Sequence, residues 1–319
     1  MPWIVYSPEY YVDMGEHVFP VEKYRLCHQR LIGEGTIAEA DVAEPTRPPD
    51  DDLLLVHTPG YLAHLRRLAA QGWGFLTMDT PVSQDILDKA ILAAGGTILA
   101  GRLALQERPG PPKRLQPRRR LVVHLSGGFH HAFADHGEGF CYINDVAVAI
   151  RVLRREGLAN RALVIDCDLH QGNGTARIFR SDEAVFTFSI HEEYNYPVLK
   201  ERSDLDIGLR SGAGDEEYLA QLHNHVPRLL DEHRPDIAFY LAGADPYEHD
   251  RLGRLRLTLE GLRQRDELVM GECWQRQVPC VVLLAGGYAF DTADTVAIHC
   301  QTVETAKRIR ARRQSPPHS

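Results

Sequence analysis

Residues 162–174 read ALVIDCDLHQGNG. An unbroken apolar run passes directly into a loop dense in carboxylate, imidazole, amide and glycine. Continuous rather than alternating apolarity suits a strand buried on both faces, as in a parallel sheet. The pattern recurs as WIVY from Trp3, LLLV from Leu53, LVVHL from Leu121, VFTFSI from Val185, IAFYLA from Ile237 and CVVLLA from Cys280. Helical periodicity lies between them, over 83–107, 143–156, 215–232, 258–277 and 292–312. Such alternation predicts one α/β domain with a mostly parallel central sheet flanked by helices. It is expected to span 1–312, with 313–319 a disordered tail. AGGTILAG within the first helix offers small residues for close packing, and PGPPKRLQPRRR (109–120) reads as a solvated surface loop.

Composition sets bounds on function. At 44% hydrophobic and 25% charged residues, the chain of 319 can build a large core without a staple. A net charge of −8 argues against a general nucleic-acid binder, which needs a basic face. The six cysteines form no C-x-x-C pair and lie in apolar segments, as expected of reduced, buried thiols in a cytoplasmic protein. The start, MPWIVYSPEYY, lacks the basic and apolar regions of a signal peptide, and no apolar window is long enough for a membrane span.

In open α/β sheets, ligands bind beyond the carboxyl ends of the strands. Here LVVHL runs into SGGFHHA, ALVID into CDLHQGNG, IAFYLA into GADPYEHD, and CVVLLA into GGYAFD. Asp166, Asp168 and His170 alternate, so on an extended segment they project to one side. Asp168 and His170 are natural zinc ligands, and Asp245 supplies a third from another strand end, leaving an open catalytic position. The competing reading has these aspartates only accepting backbone N–H bonds. Beside a metal, adjacent His130 and His131 suit general acid–base work, with Asp166 orienting the first and Asn173, uncharged, the second. Tyr288 follows a glycine pair that permits it to swing into a cavity and donate to an oxyanion; simple packing over a strand end competes.

The segments GGFHHAFADHGEGFCYINDVAVAI, VIDCDLHQGNGTARIF, FSIH, LAGADPYEHDRLG with RQRDELV, and LLAGGYA resemble the histone deacetylase family of zinc-dependent amidohydrolases. They occur in family order between about residues 53 and 296, and DRLGRLRLTLEGLRQRDELV is most similar to the class IV branch and its bacterial relatives. The resemblance implies the arginase/deacetylase fold, with zinc on Asp168, His170 and Asp245. It implies His130 and His131 as the acid–base pair backed by Asp166, and Tyr288 as the residue polarising the carbonyl. Gly139 and Phe140 would form one wall of an acyl-lysine tunnel and Leu252 part of its lining; Asp79 would grip the substrate backbone. Backbone oxygens of Asp166, Asp168 and His170, with Ser189 and Ile190, would hold a structural potassium ion.

The departures are informative. Asn173 stands where some branches carry aspartate, and Leu252 where polyamine-specific relatives carry a glutamate. The second metal of arginase-like relatives needs aspartates where this chain has Gly172 and Tyr247. The expected activity is therefore removal of acetyl or longer acyl groups from Nε-acyl-lysine by metal-activated water, with a protein or peptide substrate. The alternatives are a deacylase of small acetylated amines such as polyamines, and a non-catalytic acyl-lysine binding protein.

Overall fold

The computed structural model of the chain describes residues 1–15, 17–106 and 120–312. The expected tail, and all but the last residue of the proline-rich loop, fall outside the described residues. Along the chain come β1 (Ile4–Val5), α1 (Lys23–Gly33), β2 (Val42–Ala43), α2 (Asp50–Leu53), α3 (Pro59–Ala70), β3 (Gly74–Thr77) and β4 (Thr80–Val82). Next are α4 (Gln84–Leu105), β5 (Leu121–His124), α5 (Asp145–Arg155), β6 (Ala162–Asp166), α6 (Asn173–Phe179) and β7 (Val185–Glu192). The chain continues through β8 (Leu205–Leu209), α7 (Asp215–His233), β9 (Ile237–Leu241), α8 (Leu259–Gln275), β10 (Cys280–Leu283) and α9 (Thr292–Ala311).

Eight strands make one sheet in the order β2-β1-β5-β10-β9-β6-β7-β8. All of its ladders are parallel. Every residue of β5, β6, β9 and β10 is buried, which is why these strands read as unbroken apolar runs. Two groups of helices flank the sheet: α4 packs on α5 and α3, while α8 packs on α7 and α9, and α9 on α1. The small residues of α4 serve the predicted purpose. A Cβ on Gly96 would lie 2.3 Å from the Tyr10 hydroxyl and 2.4 Å from the His124 ring.

One expected strand is absent. LLLV from Leu53 contributes its first residue to the short helix α2, and Leu54 and Leu55 are exposed. Asp50, Asp51 and Asp52 fill that helix's first turn, where the backbone dipole favours acid, and Arg155 ion-pairs with Asp52. A short apolar run does not by itself distinguish strand from helix, and here the acidic start decides.

The sheet's topology positions the site. β5, β10, β9 and β6 are consecutive in the sheet, so the four loops leaving their carboxyl ends meet over one patch. Buried polar groups tie those loops down. Asp145 accepts from the backbone N–H of Gly128 (3.0 Å) and Phe129 (2.8 Å) and from the Thr97 hydroxyl (2.5 Å), which holds the loop ending in His130. Arg265, fully buried on α8, donates to the carbonyls of Gly243 (2.6 Å) and Cys167 (3.4 Å) and so joins the ends of β9 and β6.

Candidate active site

The segment leaving β6 is pinned by its own carboxylates. Asp166 Oδ1 accepts from the Asp168 N–H (3.1 Å), and Asp168 Oδ1 from the His170 N–H (3.0 Å). Asp168 Oδ2 accepts from the Gly286 N–H (2.9 Å) and Asp245 Oδ1 from the Leu169 N–H (2.9 Å), stitching β6, β9 and β10 together. The aspartates therefore do accept backbone N–H bonds, and they keep further lone pairs besides. One potential ligand atom each from Asp168, His170 and Asp245 lies within 4.8 Å of the others, and all three residues are buried.

His170 Nδ1 faces Asp168 Oδ1 at 3.1 Å and Asp245 Oδ2 at 3.3 Å, and Asp245 Oδ2 is buried without a hydrogen-bond partner. Burial and the neighbouring Asp168 carboxylate push Asp245 up to about 6. Burial opposes charge on His170 as well, but the two aspartates prevail and raise it to about 10. Negative charge thus gathers at one buried point with an unsatisfied oxygen. That donor set fits a divalent cation held by Asp168, His170 and Asp245. Gly286 makes the approach possible, since a Cβ there would stand 2.2 Å from Asp245 Oδ2 and 2.5 Å from Asp168 Oδ2.

His130 and His131 both turn toward this point. Asp166 Oδ2 lies 2.7 Å from His130 Nδ1, and Asn173 Oδ1 lies 2.7 Å from His131 Nδ1. Each oxygen accepts, so each ring carries its proton on Nδ1. The two Nε2 atoms are 3.1 Å apart, a distance that two lone pairs do not share. One further proton therefore sits between them. Burial disfavours charge on His130, yet Asp166 and Asp168 outweigh it and raise the group to about 9. Burial, and then the charges of His130 and His170, hold His131 well below the ordinary imidazole value. The pair divides into a charged and a neutral ring.

Above the pair, a cavity of about 190 Å³ is lined by Gly139, Phe140, Tyr196, Leu252 and Tyr288, with Asp79 at its rim. His131 and His170 lie at its inner end. Phe140 has φ +65, a conformation uncommon for a bulky residue, and its ring is gripped edge-on by His17 (4.8 Å), Tyr288 (5.9 Å) and Phe19 (6.2 Å). Tyr288 is buried, its backbone N–H bound by Asp250 Oδ2 (2.7 Å), while Asp250 Oδ1 binds the Leu252 N–H (2.8 Å). Burial and the aspartates push the Tyr288 phenol well up, so it remains a donor. Asp79 is exposed in the β3–β4 turn, its carboxylate accepting from Thr77 (2.6 Å) and Thr80 (3.2 Å). Ser189 lies beside Asp166 in the β6–β7 ladder, followed by Ile190.

Several residues of the site were not anticipated from sequence. Tyr196 also lines the cavity, edge-on to His131 (5.0 Å) and His170 (6.2 Å). Lys23 is buried beneath Tyr288 and donates to the Ala285 carbonyl (2.9 Å); burial lowers it to about 8. Asp250 anchors both Tyr288 and Leu252. Of these, Asp250 alone carried a signal, since it stands in the motif LAGADPYEHDRLG.

Comparison with known proteins agrees with this architecture. The histone deacetylase domain family matches residues 17–303. Histone deacetylase 2 of Arabidopsis thaliana is 29% identical over 97% of this chain and 80% of its own length. A probable deacetylase of Methanothermobacter thermautotrophicus is 31% identical over 89% of this chain and 85% of its own. An uncharacterized protein of Picosynechococcus sp. is 40% identical over 96% and 98%. The crystal structure of the HDA15 HD domain shares the fold, with a TM-score of 0.80 at 22% identity, over 97% of this chain and 91% of that one. Fold and site together are those of a deacetylase-like hydrolase. The chain belongs to the histone deacetylase family.

Proposed function

We propose that this chain hydrolyses Nε-acyl-lysine amides in peptides or proteins, using one zinc ion held by Asp168, His170 and Asp245. The observation that carries the reading is the meeting of a buried ligand group and a paired histidine dyad at a cavity lined by Phe140, Tyr196, Leu252 and Tyr288. When bound, such an ion polarises the acyl carbonyl and lowers the pKa of water.

The chain's own groups do the rest. Phe140, Tyr196 and Leu252 take the lysine methylenes and exclude solvent. His131, neutral at Nε2, accepts the proton of the attacking water and returns it to the departing amine, while charged His130, held by Asp166, keeps its own proton. Tyr288 donates its phenolic hydrogen to the oxyanion as charge develops. Asp79 at the rim accepts from the substrate backbone. Backbone oxygens of Asp166, Asp168 and His170, with Ser189 and Ile190, would hold a structural potassium ion.

Leu252 offers no carboxylate to a second ammonium group, which favours acyl-lysine over acetylated polyamines. The apolar tunnel, and the similarity to class IV sequences, favour acyl chains longer than acetyl, each buried methylene contributing ~0.8 kcal/mol. A net charge of −8 speaks against direct nucleic-acid contact. All six thiols are free, which suits a reducing compartment such as the cytoplasm. Among the described residues no helix is long and apolar enough to cross a membrane.

The test is a panel of acetyl to octanoyl chains on one lysine peptide, beside acetylated free amines, with zinc-loaded protein. Longer acyl-lysines should match or exceed acetyl-lysine in kcat/KM, and free amines should lag. Turnover confined to free amines would overturn the substrate assignment, and none on any substrate the hydrolase reading itself.

A further inference from the structure

We propose that Glu138 is a positioning residue for proton transfer at His131, acting through the side-chain amide of Asn173; this rests on reading the histidine pair as acid and base. Asn173 Nδ2 donates to Glu138 Oε1 at 2.6 Å, and Asn173 Oδ1 faces His131 Nδ1 at 2.7 Å. Glu138, Asn173 and His131, in that order, thus form a chain of two short hydrogen bonds ending on the ring's Nδ1.

The direction of that chain follows from chemistry alone. An asparagine amide has a donating and an accepting end of nearly equal shape, and nothing within it decides which faces the imidazole. A carboxylate only accepts. Glu138 therefore requires the nitrogen of Asn173 on its own side, which turns Oδ1 toward His131. Oδ1 also only accepts, so His131 must carry its proton on Nδ1 and leave Nε2 with a lone pair facing His130. With the amide reversed, Nδ2 would face His131 Nδ1, and the ring would take the opposite tautomer, unable to accept at Nε2.

An aspartate at 173 would need no such help, because both of its oxygens accept. This chain divides that task between two residues and places the anion one hydrogen bond farther from the ring. Glu138 is well sited for it. It is half-buried in the turn that delivers Gly139 and Phe140, bridges to Cys141, and lies against the Tyr196 phenol, whose ionisation it opposes. A Cβ on the adjacent Gly139 would stand 2.6 Å from the His131 ring, so this turn rests directly on the histidine it serves.

Glu138→Gln keeps the shape and removes both the charge and the fixed direction. In zinc-loaded enzyme it should lower kcat about 10- to 100-fold with KM little changed, the usual cost of losing an outer hydrogen-bond partner. In an Asn173→Asp background two carboxylates would abut, and the same Glu138→Gln change should raise kcat instead. A wild-type kcat in the single variant, or the same loss in both backgrounds, would overturn the proposal. Long-range proton–nitrogen spectra of histidine-labelled protein read the tautomer without substrate. His131 should be Nδ1–H in the wild type and lose that preference in Glu138→Gln; an Nε2–H ring in the wild type, or an unmoved tautomer in the variant, would refute the relay. Wild-type protein inert toward every acyl-lysine peptide, but showing the tautomer change, would remove the hydrolase reading and leave the relay standing.

Discussion

Tyr288→Phe removes one oxygen and leaves the ring among Phe19, Phe140 and Lys23, with its backbone still bound to Asp250. If the phenol only packs, turnover should survive. If it donates to an oxyanion, kcat should fall by ~2.7–4 kcal/mol of barrier, or roughly 10²–10³-fold, with KM and zinc content unchanged. Single-turnover measurements on metal-loaded variant decide, and wild-type rates would end the catalytic assignment. Gly286→Ala probes the ligand group from its other side. Its Cβ would intrude on Asp245 Oδ2 and Asp168 Oδ2, at 2.2 and 2.5 Å respectively. Zinc affinity should drop by about 10–100-fold, measured by competition with a chelator. Unaltered affinity would show that the two carboxylates do not converge on a metal.

At the scale of elements, α8 governs the spacing of two loops it does not itself contain. Arg265 is wholly buried, paired with Asp266 at 2.8 Å, and bonded to the carbonyls of Gly243 and Cys167. Asp266 in turn accepts from the Tyr240 hydroxyl (2.6 Å) and the Thr302 hydroxyl (2.5 Å), linking α8 to β9 and α9. Arg265→Met strands a buried carboxylate and two carbonyls, which should cost about 3–5 kcal/mol. Urea unfolding measures that loss, and metal affinity should fall with it as the ends of β6 and β9 separate. An unfolding midpoint equal to wild type would mean that the guanidinium is replaceable by packing.

For the whole molecule, pH reports on buried neutral imidazoles. Burial lowers His57 to about 4 and His124 to about 3, from an ordinary 6.5. Below 6.5 the unfolded chain takes up protons that these folded rings refuse, so their stabilisation is complete above that pH and is lost as pH falls toward 4. The melting temperature should decline over this interval. His57→Gln, which retains an acceptor for the Asn144 N–H, should flatten the decline, and an identical slope would assign the acid sensitivity elsewhere.

The elements legible from the residues alone share one property: their meaning lies within a few residues. The buried strands β5, β6, β9 and β10 announce themselves by nearly continuous apolar runs, and the ligands and histidines by their place just after them. The edge strand β8, with aspartate and glycine among its five residues, has no such run. Remote partners were readable where the family resemblance supplied them, as for Asp166 with His130 and Asn173 with His131, and elsewhere they were not. Lys23 acts on a carbonyl 262 positions away, Arg265 on one 98 away, and Glu138 gains its meaning from an asparagine 35 positions later. The expected strand at Leu53 failed for the opposite reason, since three neighbouring aspartates outweighed the run itself.

The place of β10 in the sheet has a consequence for biosynthesis. Cys280–Leu283 pairs with β5 on one side and β9 on the other, although among the described residues it is the last of the sheet's strands in chain order. Until it arrives, β1 and β5 have no neighbour linking them to β6 and β9, and two unsatisfied edges face one another. The histidine pair belongs to one half and the three ligands to the other. On the proposed function, a nascent chain would bring its ligand group beside the histidine pair only after Leu283 has been translated. Zinc uptake during synthesis should lag behind collapse of the N-terminal half, and release of a chain truncated before Cys280 should yield an aggregation-prone product with no hydrolytic activity.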